Sequence, residues 1–349
     1  MTTTHPGLVV LFGSGETSPN GGRIFENIVQ RLSVSPPRIA ILETPAGFEP
    51  NSEMVAGRIA NFLRQRLQNH QPEISVIPAR KRDTPLSPDN AELTQPLLNA
   101  HLIFLGPGSP TYTVRQLEHT RAWHRLTARC HLGTTLVLAS AAALAMGTQT
   151  LPVYEIYKVG ADLHWHRGLD FFGGDGLPLV FIPHWDNAEG GADLDTSRCF
   201  MGQARFAQLC TLLPPDVTIV GIDEHTALII DRQQATCEVM GRGHVTIIRS
   251  NTEQRFAASQ HFPLTHLGAL QSADLSATIP ADVWEEALAA QGQTPTPAEA
   301  PAEVLALVTQ RQAARDHRDW SAADEIRQRI SALGWKVEDT PEGPRLEPE

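Results

Sequence analysis

The chain has 349 residues, of which 41% are hydrophobic and 19% are charged, so it can bury a large core and is not disordered throughout. Its 28 Lys and Arg against 39 Asp and Glu give a formal net charge of −11, which excludes a global basic surface for nucleic acid or anionic membranes. The length favours two domains, or one large α/β unit with an appendage.

No membrane segment and no secretion signal is expected. The longest nearly uncharged apolar run, residues 134–147, is shorter than the ~20 residues that a membrane span needs. The first apolar run, residues 8–12, is interrupted at 13–16 and has no basic segment before it. We therefore expect a cytoplasmic protein that does not bind a membrane.

The cysteines form no C-x-x-C pair, so we expect reduced, buried thiols rather than a zinc site or a disulfide framework. They are Cys130, Cys199, Cys210 and Cys237. No metal or organic cofactor is indicated.

Short apolar runs alternate with amphipathic stretches along the first part of the chain, as in a mostly parallel sheet with helices on both faces. The predicted strands are residues 8–12, 38–42, 74–78, 102–105 and 135–139. The predicted helices are residues 24–32, 52–69 and 112–129.

After residue 147 the sequence becomes aromatic and rich in glycine. A helix is predicted over 198–213. The strands after it, residues 218–222, 226–230 and 245–248, predict an antiparallel finish to the same sheet. One α/β domain therefore covers residues 1–265.

Residues 266–301 are predicted to form a connecting segment that ends in a linker, because 292–301 contains three prolines and no apolar periodicity. Residues 302–349 then form a small helical domain. Its helices are expected over 302–318 and 320–333, and a hairpin over 335–346 turns at residues 341–343.

Ser140 lies at the junction between a predicted buried strand and a predicted helix of small residues. The segment reads Leu136-Val-Leu-Ala-Ser-Ala-Ala-Ala-Leu-Ala-Met-Gly147. A nucleophile elbow has this form, because a sharp strand-to-helix turn needs small neighbours and lifts the hydroxyl above the sheet. A serine before an alanine-rich helix can equally be an ordinary N-cap. The pattern alone leaves both interpretations open.

A nucleophilic serine needs a base and an orienting carboxylate. His184 follows the apolar run of Phe181-Ile-Pro183 and is expected at a strand end, where sites of open α/β sheets collect; a packed histidine is the alternative. The carboxylates available are Asp223 and Glu224, directly after another strand, and Glu155.

A glycine loop, Leu105-Gly-Pro-Gly-Ser-Pro-Thr-Tyr112, is predicted at the same edge. Because Pro107 has no N–H, oxyanion donors there must come from Gly106 or Gly108, together with the N–H of Ala141. A tight turn is the alternative. Residues 13–18 imitate a dinucleotide loop but lack its third glycine.

The order of these motifs resembles the cyanophycinase and aspartyl dipeptidase (peptidase E) family of serine peptidases, which has the class I glutamine amidotransferase-like fold. The resemblance covers about residues 5–264 and also includes Gly13-Ser-Gly-Glu16. It implies a catalytic triad of Ser140, His184 and Glu224. The family elbow usually reads Gly-x-Ser-Ala-Gly, whereas this chain has Leu138-Ala-Ser-Ala-Ala142. We expect the bulky Leu138 to distort the turn.

The family's preference for Asp-containing peptides implies cationic side chains near the site. Arg198 and Arg205 would share one face of the predicted helix, and Arg115 and Lys158 are further candidates. A solvated helix face is the alternative. Amidotransferase chemistry is not expected, because that class has a cysteine at the elbow and Cys130 lies ten residues too early.

The end of the chain resembles the C-terminal segment of cysteinyl-tRNA synthetase, most clearly in Trp320-Ser-Ala-Ala-Asp-Glu-Ile-Arg327. This resemblance implies contact with tRNA through residues 302–349. The two catalytic motifs of a class I synthetase are absent, so aminoacylation is not expected. From residue 301 onward, 7 Lys and Arg stand against 10 Asp and Glu, a net charge of −3 that favours packing or oligomerisation, including a homodimer, equally well.

The leading hypothesis is a serine hydrolase that cleaves a small peptide or isopeptide bond. The alternative is an inactive amidotransferase-like protein whose C-terminal domain binds tRNA or a protein partner.

Overall fold

The computed structural model describes residues 5–271, 278–291, 301–317, 319–340 and 343–348. The chain divides into two compact units, residues 1–291 (unit 1) and residues 292–349 (unit 2). Within the described residues, no helix is long and apolar enough to cross a membrane.

Unit 1 alternates strands and helices over its first half and is rich in strands over its second half. Its strands are β1 (Val9–Phe12), β2 (Arg38–Leu42), β3 (Glu73–Ile77), β4 (Leu102–Leu105), β5 (Thr135–Ala139), β6 (Gln149–Thr150), β7 (His166–Arg167), β8 (Leu179–Ile182), β9 (Thr218–Ile222), β10 (Thr226–Asp231), β11 (Thr236–Gly241), β12 (His244–Arg249), β13 (Thr252–Ala257) and β14 (His261–Pro263). Its α-helices are α1 (Pro19–Leu32), α2 (Ser52–Arg66), α3 (Pro96–Asn99), α4 (Pro110–Leu117), α5 (Arg121–His131), α6 (Ala141–Ala145), α7 (Val153–Tyr157), α8 (Gly202–Thr211) and α9 (Ala281–Ala290).

The main sheet has eight strands in the order β14-β11-β10-β1-β5-β4-β2-β3. Strands β1 to β5 in this sheet pair in parallel, whereas β10, β11 and β14 add an antiparallel edge. Alternate residues of the central strands enter two apolar clusters: Leu11 and Leu138 join one, and Phe12 and Val137 join the other. The predicted α/β class is therefore confirmed.

The predicted antiparallel finish to the sheet holds for residues 226–230, but the expectation that 218–222 and 245–248 join the same sheet is wrong. Strands β8 and β9 pair in parallel and form a separate four-stranded sheet with β12 and β13. Strand β10, which follows β9 after three residues, instead pairs with β1 in the main sheet. The chain thus passes from one sheet to the other at residues 223–225, a step that the alternating pattern of each strand does not encode.

Two helix boundaries also differ from prediction. The helix expected over 112–129 is two helices, because the chain turns at His119, whose φ is 61°, and restarts with Thr120 as N-cap of α5. The helix expected from Arg198 begins only at Gly202, because residues 198–200 all have positive φ. Arg198 therefore does not share a helix with Arg205.

Part of the segment predicted as connecting is folded. In α9, which also belongs to unit 1, Val283 and Ala287 pack against Leu98, Ala128 and Leu132. Ion pairs reinforce the packing, since Glu286 accepts from Arg121 at 2.8 Å and from Arg125 at 2.9 Å. The proline-rich stretch from 292 to 300 lies outside the described residues.

Unit 2 consists of α10 (Ala302–Asp316), α11 (Trp320–Ala332) and an antiparallel pair, β15 (Trp335–Thr340) and β16 (Gly343–Pro348). Its own small core includes Val304, Leu307, Ile330 and Val337. The helical pair and the hairpin strands agree with prediction, while positions 341 and 342 of the expected turn lie outside the described residues.

Because each unit has its own core, we expect a chain ending at Gln291 to unfold at the temperature of unit 1 in the full chain. A chain ending at Gln271 lacks α9, exposes Leu98 and Leu132, and should unfold several degrees lower. Calorimetry of the three chains measures both differences. Equal melting temperatures for the two truncated chains would contradict the contribution of α9.

Candidate active site

Ser140 lies at a sharp reversal between β5 and α6. Its φ of 51° and ψ of −112° belong to a region that ordinary residues rarely occupy and that costs conformational energy. The residues after it, Ala141–Ala145, are all buried and mostly small, which lets the helix start directly on the sheet. Leu138 lies within β5 and its side chain is buried in the core, so replacing the family's glycine by leucine does not prevent the sharp reversal at Ser140.

The hydroxyl of Ser140 does not cap α6, since its side chain accepts no hydrogen bond from that helix. Ser140 thus occupies the N-cap position of α6 without making the side-chain capping bond that the N-cap interpretation implies. Ser140 Oγ instead lies 3.0 Å from His184 Nε2.

Strand register explains why the other loops meet at Ser140. Leu105 of β4 pairs with Leu138, so Gly106 follows on one side of the serine. Phe12 of β1 pairs with Ala139, so Gly13 follows on the other side. The carboxyl ends of parallel strands share one edge of the sheet, which places these loops together.

His184 comes after β8 and is fixed by its backbone. Its φ is 52°, its N–H donates to Gly13 O at 3.1 Å, and its carbonyl accepts from Cys199 N at 3.1 Å. The ring lies 6.0 Å from the Phe200 ring, centroid to centroid. Its Nδ1 is 2.8 Å from Glu224 Oε1, and 19% of the side chain remains exposed.

Of the three carboxylates considered from the sequence, only Glu224 contacts His184. Asp223 is turned the other way, where Oδ2 accepts from His244 N at 2.8 Å. Glu155 accepts from Thr111 Oγ1 at 2.5 Å. The structure therefore brings Ser140, His184 and Glu224 into one hydrogen-bonded row, the geometry of a nucleophile, a base and an orienting acid.

Glu224 stands at the crossing between the two sheets. Its N–H donates to Asp186 Oδ1 at 2.6 Å, and its Oε1 also accepts from Asn187 Nδ2 at 3.1 Å. The hydrogen bond from His184 lowers the pKa of Glu224, and the one from Asn187 lowers it further, against the opposing effect of burial. The carboxylate is thus ionised at neutral pH and attracts a protonated imidazole.

The glycine loop after β4 approaches a neighbouring backbone closely. Gly108 has a φ of 153°, and a Cβ there would lie 1.8 Å from Pro45 O. Ser109 N donates to the same carbonyl at 3.0 Å, and Ser109 Oγ then caps α4 by accepting from Tyr112 N at 3.2 Å. Gly106 follows Leu105, the partner of Leu138, and Ala141 directly follows Ser140, so both predicted oxyanion donors lie on segments that adjoin the serine.

The four predicted substrate-binding cations lie against protein groups. Arg198 donates to Trp185 O at 2.9 Å and covers the Trp185 ring, while Arg205 donates to two carbonyls of the turn before α8. Arg115 lies over the Tyr112 ring and Lys158 over the Tyr157 ring.

Sequence reasoning missed two polar residues here, Asn187 and Glu16. Glu16 belongs to the loop after β1. This loop contacts both the loop of His184 and the turn at residues 223–225, because its Gly13 O accepts from His184 N and its Ser14 Oγ accepts from His225 N. Burial raises the pKa of Glu16, partly offset by a hydrogen bond from its own backbone and by His184 and His225. Its place directly after β1, in Gly13-Ser-Gly-Glu16, was the available signal.

Because the pKa of Glu16 is higher in the folded chain than in the unfolded chain, its ionisation opposes folding. We expect Glu16→Gln to raise the melting temperature at pH 8. The gain should shrink as the pH falls and vanish below about pH 4, where Glu16 is protonated in both states. Thermal unfolding across this pH range measures the effect. Glu92→Gln, at an exposed carboxylate, is the control and should change little; a Glu16→Gln protein less stable than wild type at pH 8 would contradict the assignment.

Two kinds of similarity to known proteins were found. Residues 298–343 match the family model of the cysteinyl-tRNA ligase anticodon binding domain. Cysteine–tRNA ligase 1 of Burkholderia lata is 43% identical over 77 residues, which are 22% of this chain and 16% of the ligase. The cysteine–tRNA ligase of Methanosarcina mazei is 48% identical over 48 residues, 14% of this chain and 10% of the ligase. The chain thus spans only a small part of these relatives, and the predicted resemblance of its C-terminal segment is confirmed.

The crystal structure of a peptidase from an acI-B1 Actinobacterium superposes with a TM-score of 0.60 at 23% identity, covering 74% of this chain and 98% of that chain. At this level of identity the similarity shows a shared fold. The expected resemblance to a peptidase is therefore confirmed for the fold, and the chain combines it with a segment similar to the anticodon binding domain of a tRNA ligase.

Proposed function

We propose that unit 1 is a serine-type peptidase or related hydrolase that acts on a small peptide or isopeptide bond. The observation that carries the proposal is the hydrogen-bonded row in which Ser140 Oγ lies 3.0 Å from His184 Nε2 and His184 Nδ1 lies 2.8 Å from Glu224 Oε1. The strained backbone at Ser140 and the fold shared with a solved peptidase support the same reaction class.

In the proposed mechanism, His184 Nε2 takes the hydroxyl proton as Ser140 Oγ attacks the scissile carbonyl carbon. Glu224 keeps Nδ1 protonated and stabilises the imidazolium that forms. The negative oxygen of the tetrahedral intermediate is stabilised by the N–H of Ala141 together with that of Gly106 or Gly108. His184 then gives its proton to the leaving amine, the C–N bond breaks, and water hydrolyses the acyl-serine by the reverse proton path.

The proposed binding of an acidic substrate rests on Arg115, Lys158, Arg198 and Arg205. The contacts of Arg198 and Arg205 with backbone carbonyls favour a supporting role for these two. Arg115 and Lys158 lie over tyrosine rings, a contact that leaves a cation able to pair with an anion, so they are the better candidates for a substrate carboxylate.

Ser140→Ala should abolish labelling by a fluorophosphonate probe and lower hydrolysis of a panel of Asp-containing dipeptides by about 10⁴-fold or more, because the attacking oxygen is lost. Mass spectrometry of the labelled peptide and amine release are the measurements. Ser109→Ala is the matched control, since Ser109 is a nearby serine whose hydroxyl caps α4 by accepting from Tyr112 N. Labelling at a residue other than Ser140, or unchanged hydrolysis in Ser140→Ala, would refute the proposal.

For unit 2 we propose contact with tRNA, on the basis of its match to an anticodon binding domain. A specific surface feature favours this over simple packing: Trp320 at the start of α11 is 57% exposed, and the Arg315 guanidinium lies 5.7 Å from its ring centroid. An exposed aromatic ring beside an arginine can stack on an unpaired base. The net negative charge of the segment predicts that such binding is weak.

Trp320→Ala should weaken binding of a tRNA with a cysteine anticodon by about 5-fold or more, because one base–aromatic stack contributes ~1–3 kcal/mol. Fluorescence anisotropy at low salt measures the affinity. Leu305→Ala on α10, at a residue that is also exposed, is the control and should bind as wild type does. No binding by the wild-type chain, or an equal loss in both variants, would exclude this role for Trp320.

A further inference from the structure

We propose that Asn187 is a positioning residue of the site, which holds the Glu224 carboxylate in the orientation that His184 requires. The inference rests on the proposed function and extends it to a residue that no sequence motif had marked. It is carried by the hydrogen bond from Asn187 Nδ2 to Glu224 Oε1 at 3.1 Å.

The same oxygen, Glu224 Oε1, receives both this bond and the one from His184 Nδ1 at 2.8 Å. Two donors that converge on one carboxylate oxygen fix its position in a way that a single donor cannot, because rotation of the carboxylate would break both bonds. Asn187 therefore restricts the very atom that orients the imidazole.

The orientation of the Asn187 amide is itself determined by its neighbours. Its Oδ1 accepts from Glu189 N at 3.2 Å, which requires the carbonyl end to face the backbone and leaves the NH₂ end toward Glu224. A carboxylate accepts and does not donate, so the amide cannot reverse without losing both bonds. The donor to Glu224 is thus assigned by the network.

Asn187 is also locked in place. Its side chain belongs to a residue only 2% exposed, its N–H donates to His184 O at 3.3 Å, and its carbonyl accepts from Thr196 Oγ1 at 3.4 Å. The base and the residue that steadies its acid therefore lie in one turn, three positions apart. A shift of this turn would move both together, whereas loss of the Asn187 amide alone would free Glu224 and leave His184 in place.

Asp186 contacts Glu224 as well, but through the backbone, since Asp186 Oδ1 accepts from Glu224 N at 2.6 Å. That bond fixes the Glu224 backbone and leaves the side-chain torsions free. Asn187 supplies the restraint that Asp186 does not, and this separates their roles.

The test compares Asn187→Leu, which keeps approximate size and removes the donor, with Asn187→Asp, which keeps the shape and places a second carboxylate beside Glu224. Thr196→Val is the matched control, because it loosens the same turn and leaves the Asn187 amide intact. The rate of Ser140 labelling by the fluorophosphonate probe at pH 8 is measured in each full-length protein. This readout needs no knowledge of the substrate.

We expect Asn187→Leu to slow labelling by about 10- to 100-fold, since a misplaced orienting group costs rate without removing the nucleophile. Asn187→Asp should be at least as slow because of repulsion between like charges. Thr196→Val should label at nearly the wild-type rate even if it melts at a lower temperature. We expect the proton on His184 Nδ1 to give a low-field NMR signal in the wild type, and this signal should move upfield or broaden in Asn187→Leu and stay in place in Thr196→Val.

Wild-type labelling rates in both Asn187 variants would overturn the inference while the proposed function stands. An equal loss in Thr196→Val and Asn187→Leu, with the Nδ1 proton unchanged in both, would likewise overturn it by assigning the effect to the turn as a whole. Absence of labelling in the wild-type protein would refute the proposed function itself, and the inference with it.

Discussion

The site depends on one backbone reversal, the strained turn at Ser140 between β5 and α6. Strand β5 is completely buried in the middle of the parallel region, paired on both sides, so its end cannot move to relieve the strain. The alanine-rich sequence of α6 lets the chain reverse directly over the sheet. From that fixed point, strand register delivers the loops after β1 and β4 to either side of the serine, and His184 joins through a backbone hydrogen bond to Gly13.

Two glutamates near His184 have opposite electrostatic environments. Hydrogen bonds from His184 and Asn187 lower the pKa of Glu224, whereas burial raises the pKa of Glu16. Two side chains of the same type therefore have different proton affinities because their surroundings differ. The charge of Glu16 and the backbone of Ser140 both oppose folding, and the large core of unit 1 compensates for them.

The sequence predicted the features that depend on local composition. Five apolar runs indicated β1 to β5, and Ser140 and His184 were each expected directly after an apolar run, as they are after β5 and β8. Prediction failed where the chain's path depends on distant partners. Neither the separate sheet of β8, β9, β12 and β13 nor the packing of α9 is encoded in a periodic pattern, because alternation within a strand does not identify its neighbour. The three left-handed residues from Arg198 to Phe200 are also invisible to helix propensity, since tertiary contacts stabilise them.

By itself, then, the sequence determined the α/β class, the C-terminal helical segment and the residue types available for chemistry, since burial patterns and side-chain inventories are local properties. Only the tertiary structure decided that the Ser140 hydroxyl meets His184 instead of capping α6, and that Glu224 rather than Asp223 or Glu155 contacts the imidazole. The physical reason lies in the crossing from β9 to β10. Passing between two sheets turns Asp223 toward His244 and leaves Glu224 beside His184, an outcome fixed by strand pairing far from either residue in sequence.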